Sequence, residues 1–205
     1  QEVVPLEDAL ERARKTRLGL CVKAFLSSTP EMRLEAARLF CLSLDSALEV
    51  GAEEVERSGV GAEVLDAAVQ LVFSTNWQET AYGCQILGLL FESRVFPDCL
   101  QSTAVQKYLE AVPSLVERES ESIKRYVIHG LGCLLCYEGG ESVLRALPPH
   151  EIYRQLKQEV TDEGLFAEIV SYFCQYAEVC HEFAVGMVSS VSKDGMNSLN
   201  DRAKT

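Results

Sequence analysis

Histidine, phosphate-loop glycine and basic charge are all scarce in this chain of 205 residues, and each scarcity argues against a class of function. Histidine occurs three times, at His129, His150 and His181. His181 directly follows Cys180, so on a helix the two side chains diverge by about 100° and make no nucleophile–base pair. His129 lies in a helix apolar on nearly all sides, the setting of a hydrogen-bonded packing residue. No phosphate loop is present: YEGGES has no lysine after its glycines, and the GLG of Gly130 to Gly132 falls inside a helical pattern. Nineteen Lys and Arg face 31 Asp and Glu, a net charge of −12 that repels nucleic acid and anionic membrane. No run reaches the roughly 18 apolar residues of a membrane span, and no basic-then-apolar leader is visible. The longest apolar stretch, Val127 to Tyr137, is broken by His129, Gly130 and Gly132. The expectation is therefore a non-enzymatic protein that binds neither nucleic acid nor membrane.

Cysteine, by contrast, is abundant: eight residues, at 21, 41, 84, 99, 133, 136, 174 and 180, mostly within apolar helical patterns. There a thiol acts as a small hydrophobe in a reducing compartment, so an intracellular site, cytoplasm or nucleus, is expected. Cys133 and Cys136 form a CxxC, and Cys174, Cys180 and His181 follow about one repeat later, which assembles four metal ligands on paper. A zinc CxxC sits in a tight turn with polar flanks, whereas LGCLLCY reads as an apolar helix. No metal and no cofactor are expected.

What the chain does have is a period. A short helical piece, an amphipathic stretch and a longer, nearly uninterrupted apolar helix recur about 45 residues apart. The long members begin at Pro30 (PEMRLEAARLFCLSL), Asn76 (NWQETAYGCQILGLLF), Ser120 (SESIKRYVIHGLGCLLCY) and Asp162 (DEGLFAEIVSYFCQYAEV). Ser74 and Thr75 before the second, Ser120 with Glu121, and Thr161 with Asp162 and Glu163 supply capping oxygens and negative charge at helix starts. Amphipathic stretches precede the last three, from Val60, Thr103 and His150. In the first, Val64, Leu65, Ala68, Val69 and Val72 make an apolar face opposite Glu63, Asp66 and Gln70. GAEEVERSG, FPDCLQS and ESVLRAL supply the short pieces, punctuated by Gly59, Pro97, Pro148 and Pro149. Pro113 is expected to kink or interrupt its helix. Ala36, Ala37, Gly83, Gly88, Gly130 and Gly132 are expected where neighbouring helices approach closely and set the spacing between repeats.

A short helix, a second of about 12 residues and a longer third, repeating at roughly 42–46 residues, resembles the armadillo repeat, with the two-helix HEAT repeat next nearest. EEVERSGVGAEVLDAAVQLVF is the best local example, and the resemblance spans most of residues 5 to 190. It implies an all-α fold, a right-handed α-solenoid of about four armadillo-like repeats, which a chain with 47% apolar residues can fill with a continuous core. The reading places the repeat domain at 1–191, with a partial first repeat at 1–29, and a polar tail or linker at 192–205. The absence of an initiator methionine suggests a fragment of a longer protein.

Armadillo proteins hold extended peptides along the groove of their third helices, so the resemblance implies a protein–protein interaction scaffold that binds a peptide or helix within a larger complex. The tryptophan and asparagine pairs of the nuclear-import receptors are missing, since Trp77 is the sole tryptophan and Asn76 stands only at a helix start. Trp77, Tyr82, Arg125 and His129 are the candidate partner-binding residues, because large amphipathic and multidentate side chains dominate interface energetics. Between Leu39 and Ser93 nine acids face a single base, Arg57, which favours a basic partner segment or else simply makes a solvated acidic face. Basic residues gather at Arg12, Arg14, Lys15 and Arg17 and at Lys124 and Arg125. A hetero-complex, or self-association through an end face, fits the apolar last helix. The alternative is a regulator that clamps a chaperone or enzyme client, as armadillo-type nucleotide exchange factors do.

Overall fold

The computed structural model describes residues 6–46, 48–57, 59–94, 96–179, 191–195 and 197, and among them the chain is helical, with no strand. It divides into two compact units, Gln1–Tyr108 and Leu109–Thr205. The first holds α1 (Leu6–Leu26), α2 (Arg33–Asp45), α3 (Leu48–Arg57), α4 (Gly61–Val72), α5 (Trp77–Ser93), a 3-10 turn at Cys99–Gln101 and the start of α6 (Thr103–Val116). The second holds the rest of α6, then α7 (Glu121–Leu135), α8 (Gly140–Arg145), α9 (Pro149–Lys157), α10 (Glu163–Val179) and helical residues at 191–195 and 197.

The long helices start where the capping residues place them. Asn76 accepts from the Gln78 amide at 3.0 Å, Ser120 from Ile123 at 3.4 Å, and Asp162 from Leu165 at 2.8 Å, each satisfying a backbone donor that has no partner inside its helix. For the second long helix the cap is thus Asn76, while Ser74 braces the turn by donating to Glu79 at 2.5 Å and accepting from the Asn76 amide at 3.1 Å.

The apolar face read from α4 is the buried one: Val64, Leu65, Ala68, Val69 and Val72 are all buried, joined by Leu71. In the first unit α5 packs on α2, α3 and α4, and α1 packs on α2, α3 and α4. Phe40, Leu44, Leu87, Leu90 and Phe91 fill this core, with Phe25 stacked on Phe40 at 5.2 Å. In the second unit α7 packs on α8 and α10, and α9 on α10. Tyr153 and Tyr172 both meet Phe173 edge-on, at 5.1 and 4.9 Å.

Several local expectations are corrected. α6 runs through Pro113 to Val116. The proline forfeits one backbone bond near the helix end, where only one turn remains to be disturbed. The three short pieces are unequal: α3 has 10 residues, the second is only the 3-10 turn, and α8 has 6. The glycines do not share one role. A Cβ on Gly83 would lie 2.8 Å from the Ala68 carbonyl oxygen and 2.9 Å from the Val72 nitrogen, so Gly83 lets α5 approach α4, the helix just before it in the chain. A Cβ on Gly132 would meet only Tyr172 of α10, at an ordinary 3.7 Å. Within the segment read as a polar tail from 192, Asp194 accepts from Lys157 at 2.6 Å, and Val191 just before it is fully buried.

Candidate functional site

The four candidate residues fall as two pairs, Trp77 and Tyr82 on α5 in the first unit, and Arg125 and His129 on α7 in the second. Trp77 opens α5 directly after the Asn76 cap and is 57% exposed. The turn beneath it is closed by polar bonds: Thr80 Oγ1 donates to the Ser74 carbonyl at 3.1 Å, in addition to the Ser74–Glu79 and Asn76–Gln78 bonds. Phe73, the C-terminal cap of α4, projects from the same turn at 58% exposure. Two large aromatics thus stand in solvent on a turn whose backbone is held from both sides.

Tyr82 is half-buried. Five positions after Trp77, it lies about 140° around the helix, so the two do not share a face. Tyr82 belongs instead to the side of α5 that meets α2: its carbonyl accepts from the Cys41 thiol at 3.8 Å, and its ring hydroxyl lies within electrostatic range of Arg38. Arg38 is held by Glu35 through two bonds, at 2.8 and 2.6 Å. On the same outer side of α2, Leu39 and Leu42 are 38% and 49% exposed. Positions three apart share a helical face, so these leucines make an apolar stripe bounded by Glu35 and Asp45.

Arg125 and His129 are one turn apart on α7 and share a face, both half-buried. Arg125 reaches across to α10, pairing with Asp162 at 3.1 Å and Glu168 at 2.8 Å. Glu121, one turn earlier, accepts from the Thr161 amide at 2.5 Å, the Thr161 hydroxyl at 2.9 Å and the Asp162 amide at 3.3 Å. The Thr161 backbone bond holds the Glu121 carboxyl below the ordinary carboxylate range, and the Leu165 amide with Arg125 does the same for Asp162. The face of α7 is therefore a clasp onto the start of α10. Arg125 already spends its guanidinium on two carboxylates of its own chain.

Lys124, next to it, is turned the other way. It is 3% exposed and donates to the carbonyls of Gln155 at 2.9 Å and Gln158 at 2.6 Å, capping the C-terminal end of α9. Burial lowers its pKa, against the opposing pull of Glu159 and Glu121. No family model, curated protein or solved structure matches the chain.

Among the described residues no group of three His, Cys, Asp or Glu is placed to hold an ion. Cys133 is half-buried on α7, while Cys136 caps that helix, is exposed, and points its thiol back at the Gly132 carbonyl, 3.6 Å away. Cys136 thus stands outside the core assigned to it from sequence, because α7 ends one residue before it. Cys180 and His181 lie outside the described residues. No described helix is long and apolar enough to cross a membrane.

Sequence reasoning missed Phe73, Leu39 and Leu42. Phe73 continues the apolar register of α4 and so reads as core, but the helix stops at Val72 and the register stops with it. Leu39 and Leu42 lie on the arc of α2 that carries Glu35, Arg38 and Asp45, but as apolar residues of a long helix they read as core.

Proposed function

We propose that this chain is a non-enzymatic protein–protein interaction scaffold, an armadillo/HEAT-like solenoid of about four repeats that binds a peptide or helix of another intracellular protein. The observation that carries the reading is the exposure of large apolar side chains on a built framework in the first unit: Trp77 and Phe73 on the braced turn before α5, and Leu39 and Leu42 along α2. Exposed aromatics on a rigid support are the material of interface anchors. The acid excess between Leu39 and Ser93 favours a basic segment as the partner. Trp77 and Tyr82 remain contact residues in this reading, on different sides of α5. Arg125 and His129 contribute through the edge of the α7–α10 clasp.

The test compares Trp77→Ala and Leu42→Glu, separately and together, with the wild-type chain in pull-downs from cell extract quantified by mass spectrometry. Circular dichroism establishes that the variants keep their helicity. Both substitutions are at exposed positions, so the fold is expected to survive. A partner depleted by either variant, and rich in Lys or Arg in the segment that cross-links to the first unit, supports the reading. A partner retained equally by the double variant sinks it for these two exposed patches.

A further inference from the structure

The outer arc of α4 is exposed along its whole length. α4 packs on α5, α1 and α3, with Val64, Leu65, Ala68 and Val72 buried. The opposite arc carries Glu63, Asp66, Gln70 and, where the helix closes, Phe73, all of them exposed. At 100° per residue these four fall within about 80° of one another and span about 15 Å along the axis. Trp77 stands four residues past Phe73, across the turn that the Ser74–Glu79 and Asn76–Gln78 bonds hold. Phe73 and Trp77 are the only exposed aromatic side chains among the described residues, and together they mark the C-terminal end of this arc.

Charge and spacing decide what such an arc fits. Glu63 and Asp66 meet no lysine or arginine among the described residues, whereas Glu35, Glu53 and Glu151 each hold an arginine of their own helix. Two carboxylates one turn apart, with aromatic rings bare beyond them, complement a segment that is basic over one stretch and apolar over the next. Along the axis the four positions step by about 4.5–6 Å, which is the step between same-face side chains of another helix; an extended segment offers them about every 6.8 Å. Resting on the reading of this chain as a binding scaffold, we propose that the outer arc of α4 docks an amphipathic basic helix of a partner protein. Two Lys or Arg one turn apart face Glu63 and Asp66, and a large apolar side chain about two turns farther along packs on Phe73 and Trp77. Gln70, between them, offers an amide that donates and accepts. The aromatics supply the anchor and the carboxylates fix the register. The partner is thereby narrowed from any basic segment to a helix of defined pattern, and Leu39 and Leu42 of α2 take no part in holding it.

The probe is a fluorescein-labelled helical peptide of alanine and glutamine with leucine at its second and nineteenth positions and arginine at its ninth and twelfth, a pattern that reads the same in both directions. Its isomer has both arginines moved two positions on, about 200° around the helix. Anisotropy titrations against the full chain at low salt are expected to show the isomer binding at least about tenfold more weakly, and the Glu63→Lys, Asp66→Lys chain losing the first peptide by a similar factor. Equal affinity of the two peptides, or of wild type and the charge reversal, overturns the proposal. Should the reversed chain lose its helicity, a photo-crosslinker on the peptide reads the wild-type chain directly: labelling of residues 61–78 is expected, and labelling elsewhere overturns the proposal. The extract pull-down separates this inference from the reading it rests on. Partners lost with Trp77→Ala and Leu42→Glu and also with Glu63→Lys, Asp66→Lys support it; partners lost with the first pair but kept by the charge reversal overturn the helix on α4 and leave the scaffold standing; partners kept by every variant overturn both.

Discussion

Replacing Gly83 by alanine sets two physical effects against each other, and the structure decides the sign. In a helix interior alanine is favoured over glycine by about 0.5–1 kcal/mol, so propensity alone predicts a more stable protein. The added methyl, however, would stand 2.8 Å from the Ala68 carbonyl oxygen, 2.9 Å from Leu71 Cβ and 2.9 Å from the Val72 nitrogen. Two of those atoms are α4 backbone and the third is bonded to it, so no side-chain rotation relieves the contact. α4 and α5 must separate by about half an ångström or more, and overpacking of this kind costs about 1–3 kcal/mol. Net destabilisation of about 1–2 kcal/mol is expected once the propensity gain is set against the upper part of that range. Gly132→Ala is the control, since its methyl meets Tyr172 at an ordinary 3.7 Å. It is expected to stabilise by up to about 1 kcal/mol. Urea denaturation followed by far-ultraviolet circular dichroism reads both, with midpoint shifts in opposite directions. A Gly83→Ala chain with a raised midpoint would refute the reasoning that backbone approach, rather than flexibility, explains this glycine.

Other outcomes follow from the second unit and from the thiols. Lys124→Met leaves the Gln155 and Gln158 carbonyls without their buried donor and is expected to destabilise by about 1–3 kcal/mol, read as a lower urea midpoint; no change would show that water replaces the ammonium there. Glu121 and Asp162 have folded-state pKa values below their unfolded ones, so their contribution is present above the unfolded values of about 4.3 and 3.9 and is lost as pH falls through the folded ones. Glu121→Gln is therefore expected to flatten the fall in thermal midpoint between neutral and acid pH, and an unaltered slope would count against the clasp. Iodoacetamide is expected to alkylate Cys136 in the folded chain but to reach Cys41, Cys84 and Cys99 only after unfolding, by peptide mass spectrometry. Cys41 is doubly protected, since burial also pushes its thiol pKa well up.

Helix existence and helix starts were legible from sequence because both depend on local chemistry. Asn76, Ser120 and Asp162 cap with their own side chains, and the α4 face is set by spacing along a single helix. Burial, pairing and spacing between elements were not legible to the same degree. Nothing near Arg125 in sequence announces Asp162 and Glu168, which pair with it from 37 and 43 positions away in the chain. Lys124 looked like part of a basic surface patch until α9 placed two carbonyls over its ammonium. Asp194 read as part of a polar tail because nothing near it in sequence announces Tyr153 or Lys157.

The sequence by itself thus determined an all-helical chain, with its caps, its breaks at Gly59 and at Pro148 and Pro149, and an acid excess over the first unit. These are properties of a residue and its neighbours within a turn or two, where propensity, capping and periodicity act. Tertiary structure alone decided which glycine permits a close approach, which cations are already paired, and which apolar side chains remain outside. Each of those depends on contacts between residues tens of positions apart, and a helical pattern is silent about what will lie across from it.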